Sequence, residues 1–332
     1  MRQAHDRPTR LRPADRPHAG LGRRTTRSGS RTSLRTRAVG ERPARAEGRG
    51  RVGPAARRLG VAHHGPVTEI RIASPANPRV KAAARLRDRR ERERTGLTLV
   101  DGGRELRRAL DAGVAVEEAY VCPALVRTPD ARAAVEMLAA VGATVTSVSQ
   151  TAFAKLAFGE RLDGVLAVIR APATPLARIL LPERPLIVVL EGVEKPGNVG
   201  AVLRSADGAG ANALVIADPR TDLFNPNAIR ASIGTIFTVP LAAASTPEVR
   251  SWLASQRVRL VSARVDGPTA PWNVDLTGAV AVVLGSEAEG LSGRWAGDDV
   301  TAVRIPMRGI ADSLNVSVAA AVLLYEARRQ RG

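Results

Sequence analysis

Five polar residues in three short stretches offer the chain's best prospects for chemistry. They are Asn198 and Arg204 in EKPGNVGAVLRSA, Glu287 in VVLGSEAEGLS, and Ser313 and Asn315 in IPMRGIADSLNVS. Each stretch follows an apolar run and contains glycine, so each reads as a turn leaving a buried strand. These side chains can exchange hydrogen bonds, hold an anion and orient a hydroxyl, but none is an imidazole or a thiol. All four histidines (His5, His18, His63, His64) precede Val67, and the single cysteine, Cys122, lies in the strand-like EEAYVCP and reads as core. Ser-His-Asp and Cys-His systems are thereby excluded from the patterned region, as is a metal site built on imidazole, and no metal is expected.

Each stretch also has a plainer reading. Gly197 and Gly200 flank Asn198, which would then be only a helix N-cap, with Arg204 on the surface. The turn is neither GxGxxG nor GxxxxGKS, so nicotinamide or ATP binding has weak support. Gly285 and Gly290 bracket Glu287 and Glu289. These carboxylates are either solvated or, for Glu287 directly after an apolar strand, obliged to meet a donor. Ser313 would cap a last helix whose Val316, Ala319, Ala320, Leu323 and Leu324 recur at helical spacing, with arginines near its C-terminus where they suit the dipole. Three polar turns at strand ends of one half of the chain nevertheless form a constellation, and convergence favours a site.

The elements that must position these turns alternate strand and helix from Val67 onward. In the first half, Asn77–Arg94 reads as one helix, followed by the strands GLTLVDG, VEEAYVCP, ATVTSVS and GVLAVIRAP with helices between them: four strands in a small α/β unit. Pro172–Pro185 reads as a connector. The second half carries LIVVLEGV, NALVIAD, FTVPLAA, RLVSARV, AVAVVLGS and TAVRIPM, near-continuous apolar strands that suggest a parallel sheet covered on both faces. In such sheets ligands sit beyond the carboxyl ends of the strands, where the three turns are. The expected divisions are an arm over 1–66, a unit over 67–171, a connector over 172–185 and a second unit over 186–332.

The net charge of +18 is concentrated at the front, because residues 1–60 hold 17 Arg, no Lys and four acids, which is +13 of the total. That segment mixes Arg, Gly, Pro, Ser and Thr with almost no large apolar residues, so it is expected to be disordered. It reads either as an electrostatic arm for RNA phosphates or as translated upstream DNA ahead of a true start at Val67. No apolar run approaches the ~20 residues that span a bilayer, and mean hydropathy is −0.08. With one cysteine no internal disulfide can form, and a cytoplasmic protein is expected.

NVGAVLRSA, VVLGSEAEGLS and IPMRGIADSLNVSVAAAVLLYE resemble, in order and spacing, the three motifs of the SpoU (TrmH-like) branch of the SPOUT RNA methyltransferases, over Leu186 to Arg331. The first half more loosely resembles the family's L30e-like RNA-binding domain. The resemblance implies a C-terminal parallel-sheet α/β domain threaded into a trefoil knot, a homodimer, and transfer of a methyl group from S-adenosyl-L-methionine to a ribose 2'-hydroxyl of RNA, with 23S rRNA the expected substrate. It assigns Asn198, Arg204, Glu287, Ser313 and Asn315 to the catalytic set, and Leu284, Gly285, Ile305, Met307 and Leu314 to the cofactor. Arg204 is implied as base; since a guanidinium with a pKa above ~12 keeps its proton, the better expectation is that it clamps the adjacent phosphate and polarises the hydroxyl, with Ser313 or water relaying the proton.

Eight basic residues and three acids lie between Arg79 and Arg94, either a solvated helix stitched by ion pairs or a phosphate-binding face. The latter is expected, with Asn77, Arg79, Lys81, Arg85 and Arg104 as RNA contacts. Aromatics are only 3% of the chain, too few for a base-stacking platform. Alternatives to the rRNA reading are a tRNA ribose 2'-O-methyltransferase, a non-catalytic RNA-binding or ribosome-assembly protein with the same fold, and a nicotinamide oxidoreductase that lacks its fingerprint.

Overall fold

The structure, a computed structural model, describes residues 71–158 and 162–332. The expected arm and most of VTEIRI lie outside the described residues. The first half runs β1 (Arg71–Ile72), α1 (Pro78–Arg85), α2 (Arg89–Thr95), β2 (Leu97–Asp101), α3 (Gly103–Asp111), β3 (Val116–Val121), α4 (Pro129–Ala140), β4 (Val145–Val148), α5 (Gln150–Leu156) and β5 (Val165–Arg170). The second half runs β6 (Leu186–Glu191), α6 (Pro196–Ala209), β7 (Ala213–Ala217), α7 (Pro226–Ala231), β8 (Leu241–Ala244), α8 (Thr246–Ser255), β9 (Arg259–Ala263), β10 (Val280–Leu284), β11 (Val300–Val303) and α9 (Val316–Arg331).

Helix boundaries follow the side chains that can satisfy free N–H groups. Asn77, Thr128, Ser149 and Asn225 each accept from a backbone N–H in the first turn of the helix they precede, and Ser245 with Glu248 forms a capping box on α8. The same logic corrects the single helix expected over Asn77–Arg94. Asp88 accepts from Arg90 N and starts a second helix, so the arginine run is broken into α1 and α2. FTVPLAA is also shorter than expected: Thr235–Phe237 forms a 3-10 turn and β8 begins only at Leu241.

The first sheet has five strands rather than four, in the order β1-β4-β3-β5-β2, with β5 antiparallel to both of its neighbours. The second has the order β11-β9-β10-β6-β7-β8 and is parallel throughout. Its central strands β6, β7 and β10 are buried at every position, as their near-continuous Val/Ile/Leu/Ala runs require. β11 is an edge strand, yet the chain returns from it across the carboxyl ends of β9 and β10 to end in α9, packed against α6 and β10. This return is the segment that the SPOUT resemblance expects to be threaded.

The two halves share one core, in which Val100, Leu106 and Ile169 cluster with Val199, Phe224 and Ile236. Polar contacts join them as well: Thr98 Oγ1 donates to Phe224 O at 2.7 Å, Arg92 Nε to Asp222 Oδ2 at 2.5 Å and Arg108 Nη1 to Ile233 O at 2.7 Å. The expected connector is itself packed, since Ile179 is buried beside Trp295 and Ala243 N donates to Thr174 O. No described helix is long and apolar enough to cross a membrane.

Candidate active site

Because β11, β9, β10 and β6 are parallel neighbours, their carboxyl ends lie side by side and their loops must share the space above them. Three of these loops meet at Glu287. Asn198 Nδ2 donates to its Oε1 at 2.8 Å, Lys195 Nζ to its Oε2 at 2.5 Å, and Asn315 Nδ2 to Oε1 as well. Asn315 Nδ2 also lies 3.4 Å from Asn198 Oδ1. The hydrogen bond from Lys195 is the main cause that holds the Glu287 carboxyl below the ordinary carboxylate range; burial opposes it and Asn198 adds to it. A carboxylate so supplied with donors is a poor proton acceptor, which makes Glu287, in this arrangement, the anchor of the two asparagines.

Two capping expectations are corrected. Asn198 is not the N-cap of α6; that position is Lys195, with Pro196 following, and Asn198 lies within the first turn with its side chain directed at Glu287. Ser313 does not cap α9; Asn315 does, its Oδ1 accepting from Ser317 N at 2.9 Å and from Ser317 Oγ at 2.6 Å. Asparagine suits both tasks because its oxygen can cap the helix while its NH₂ reaches Glu287. Ser313 is exposed and lines the neighbouring cleft. Arg204 stands apart: it is exposed on α6, six residues past Asn198 and hence about 120° round the helix, and it makes no hydrogen bond or ion pair among the described residues. The structure therefore brings Asn198, Glu287 and Asn315 together, and leaves Arg204 and Ser313 outside that network.

Leu284, Gly285, Ile305, Met307 and Leu314 all line one cleft of about 490 Å³, together with Glu287 and Ser313. Gly285 has no substitute there. A Cβ on it would stand 2.1 Å from the Gly290 carbonyl and 2.4 Å from Leu291 N, because the loop folds back on itself, with Gly290 N donating to Ser286 O and Gly290 at φ +67°. Beneath that loop the buried Glu191 accepts from Ser292 N and Ser292 Oγ, both at 2.7 Å, and from Thr246 Oγ1 at 3.0 Å, fixing where the loop ends. On the opposite wall, no backbone N–H from Ile305 to Leu314 donates to another group of the described residues. Unpaired backbone beside an apolar wall of Leu284, Ile305, Leu314 and Val316 suits a flat heteroaromatic ligand with polar edges.

Sequence reasoning missed Lys195 and the wall formed by Ala263–Asp266 after β9. The second was hidden because only the sheet order places β9 between β10 and β11. Lys195 lay in the EKPGN turn, and its distance from Glu287 along the chain concealed their pairing.

In the expected phosphate-binding face, several of the named side chains already have partners within the protein. Arg79 is paired with Glu118 and donates to Thr146 Oγ1 at 3.0 Å; Asn77 caps α1; and Arg104 Nε donates to Asp130 at 3.1 Å. Arg92 is buried on Asp222 and on the carbonyls of Leu86 and Arg87, Arg87 donates to Ala157 O, Arg89 pairs with Glu93, and Arg94 with Glu91. Guanidinium groups near helix ends and acids are drawn to internal acceptors, which sequence spacing does not reveal. Lys81, Arg85 and Arg90 remain exposed, with no side-chain hydrogen bond among the described residues.

The chain matches the SpoU rRNA methylase family model over residues 185–325 and the MRM3-like substrate binding domain over 77–167. It is 37% identical over 173 residues to the 23S rRNA (uridine(2479)-2'-O)-methyltransferase of Streptomyces viridochromogenes, a match covering 50% of this chain and 60% of that protein. It is 34% identical over 207 residues to the 23S rRNA (guanosine-2'-O-)-methyltransferase RlmB of a Burkholderia species, covering 60% of this chain and 83% of the relative. The crystal structure of the SpoU methyltransferase AviRb from Streptomyces viridochromogenes in complex with AdoMet superimposes with a TM-score of 0.69 at 32% identity, covering 77% of this chain and 98% of that one. The strand order, the cleft and these matches agree: the chain belongs to the SpoU rRNA methylase family.

Proposed function

We propose that this protein transfers a methyl group from S-adenosyl-L-methionine to a ribose 2'-hydroxyl of ribosomal RNA, with 23S rRNA as the substrate. The observation that carries this reading is the meeting of three loops: a Glu287 network with Asn198 and Asn315 directly beside a cleft lined by Gly285, Ile305, Met307, Ser313 and Leu314, where the backbone N–H groups from Ile305 to Leu314 donate to no other group among the described residues. Those residues fit the cofactor, since a cleft of this size takes a nucleoside-sized ligand and its apolar wall stands beside backbone donors and acceptors. When bound, S-adenosyl-L-methionine supplies a methyl group made electrophilic by its sulfonium.

The protein's own residues then have an alignment task, because a ribose hydroxyl is a weak nucleophile at neutral pH and correct in-line placement supplies much of the rate. Asn198, Glu287 and Asn315 fix the hydroxyl's approach; Ser313, at the cleft mouth, or water carries its proton away; and Arg204 clamps a phosphate. Leu284, Gly285, Ile305, Met307 and Leu314 hold the donor. Lys81, Arg85 and Arg90 of the first half form the phosphate contacts. The protein acts in the cytoplasm as a homodimer: Val318, Val322 and Tyr325 are exposed at positions 3 and 4 residues apart on α9, an apolar stripe of the kind that a second copy covers.

Incubation with labelled donor and total RNA, separated into rRNA and tRNA, tests the reading. Label is expected in 23S rRNA at an alkali-resistant 2'-O position, and label confined to tRNA or absent overturns it. Arg204→Lys keeps the charge but loses the guanidinium fork, so most activity is expected to vanish; light scattering checks for the dimer.

A further inference from the structure

Lys195 is the member of the Glu287 cluster for which the reading above has no task. It occupies the N-cap position of α6 without capping it, where a cation opposes the helix dipole. Its side chain is 72% exposed, and its ammonium takes Glu287 Oε2, whereas both asparagines converge on the other oxygen, Oε1. The two asparagines are held in place, Asn198 by the first turn of α6 and Asn315 by its capping bonds to Ser317. Among the described residues the lysine is held by Glu287 alone, and an exposed ion pair of this kind is easily exchanged for another.

On a ribose, the 2'-hydroxyl and the 3'-phosphate are borne by adjacent carbons. A hydroxyl that reaches Glu287 therefore brings its phosphate within range of the same ammonium, which is a mobile point charge well suited to phosphate. We propose that Lys195 exchanges partners when RNA binds: its ammonium leaves Glu287 Oε2 for the phosphate 3' of the target ribose, and the released Oε2 accepts the hydrogen bond of the 2'-hydroxyl. Asn198 and Asn315 keep Oε1 throughout, so the carboxylate does not rotate. Lys195 thus both binds substrate and, through Glu287, orients the nucleophile only when a phosphate is present. This rests on the methyltransferase reading above.

The experiment uses the full chain and an unmodified 23S rRNA transcript. RNA affinity is measured as a function of salt concentration, donor affinity by calorimetry, and methyl transfer in a single turnover. Lys195→Ala is expected to weaken RNA binding roughly tenfold and to reduce the salt slope by one phosphate contact, about 0.7–0.9, with donor affinity unchanged; Lys195→Arg restores the slope. Glu287→Gln removes the competitor for the ammonium, so it is expected to tighten RNA binding more in the native background than alongside Lys195→Ala. An unchanged salt slope in Lys195→Ala, or equal effects of Glu287→Gln in the two backgrounds, overturns the exchange. A Lys195→Ala chain that loses donor and RNA affinity together, at constant slope, shows a structural role and also overturns it. A wild-type chain that neither binds donor nor methylates rRNA sinks the underlying reading and this proposal with it, whereas active wild type with additive variants sinks the exchange alone.

Discussion

The cleft at the strand ends and the arginine-rich helices α1 and α2 treat polar groups in opposite ways. In the cleft they are left available: the backbone from Ile305 to Leu314 donates to no other described group, and Gly285 carries no side chain because the loop returns onto it. In α1, α2 and the turn between them most are consumed, with Arg79 on Glu118, Arg87 on Ala157 O and Arg92 on Asp222 and two carbonyls. The contrast teaches that a dense run of cations is weak evidence for a nucleic-acid surface. A guanidinium also serves internal carboxylates and carbonyls, and one already held by such partners is not counted toward a phosphate surface by its sequence position alone.

The comparison breaks most sharply at Gly285. An alanine there collides with backbone rather than with a flexible side chain, so Gly285→Ala is expected to abolish donor binding in calorimetry while circular dichroism remains native. Near-normal binding would mean that the cleft is not shaped by that loop. Next comes Arg92→Ala, which strands Asp222 at the junction of the halves and should cost about 3–5 kcal/mol in denaturant unfolding; an undiminished midpoint would show that this pair does not hold the junction.

Asp101, at the end of β2 near Arg230, sharpens the structural side of the contrast. Burial is the main cause that pushes its pKa from 3.8 up to about 6, against the hydrogen bond from Phe158 N and the charge of Arg230. The folded state therefore holds a proton that the unfolded state releases between those values, so stability falls as pH rises through that window, by roughly 3 kcal/mol in all. Asp101→Asn should remove this decline when unfolding is compared at pH 4 and pH 8, and a persisting decline would assign it to another group. The smallest effects belong to Lys81→Ala, Arg85→Ala and Arg90→Ala. Each is expected to change stability by less than about 0.5 kcal/mol and to lower the salt slope of rRNA binding by about 0.7–0.9; a slope that does not move would remove that residue from the interface.

The candidate site was legible where the placement of its residues depends on backbone and on spacing. Gly285, Leu284, Ile305, Met307 and Leu314 line one cleft, and Asn198, Glu287 and Asn315 meet, because each lies at the end of an apolar strand or in the stretch that leads from it to the next element. The parallel second sheet was legible in its near-continuous apolar strands. Three features were not. Asp88 divides α1 from α2 by a local hydrogen bond that competes with helix continuation. Asn315 rather than Ser313 caps α9, since both residue types cap and only the observed backbone chooses between them. Arg204, which motif spacing grouped with Asn198, lies on another side of α6.

By itself the sequence determined the alternation of elements, the covered parallel sheet and the turns that line the candidate site, because strand burial and glycine turns are properties of short stretches of chain. Only the tertiary structure decided that β9 stands between β10 and β11, that Lys195 shares Glu287 with two asparagines, and which arginines face solvent. Those outcomes depend on distances between residues far apart along the chain, and a hydrogen bond is made only where such a distance closes to about 3 Å.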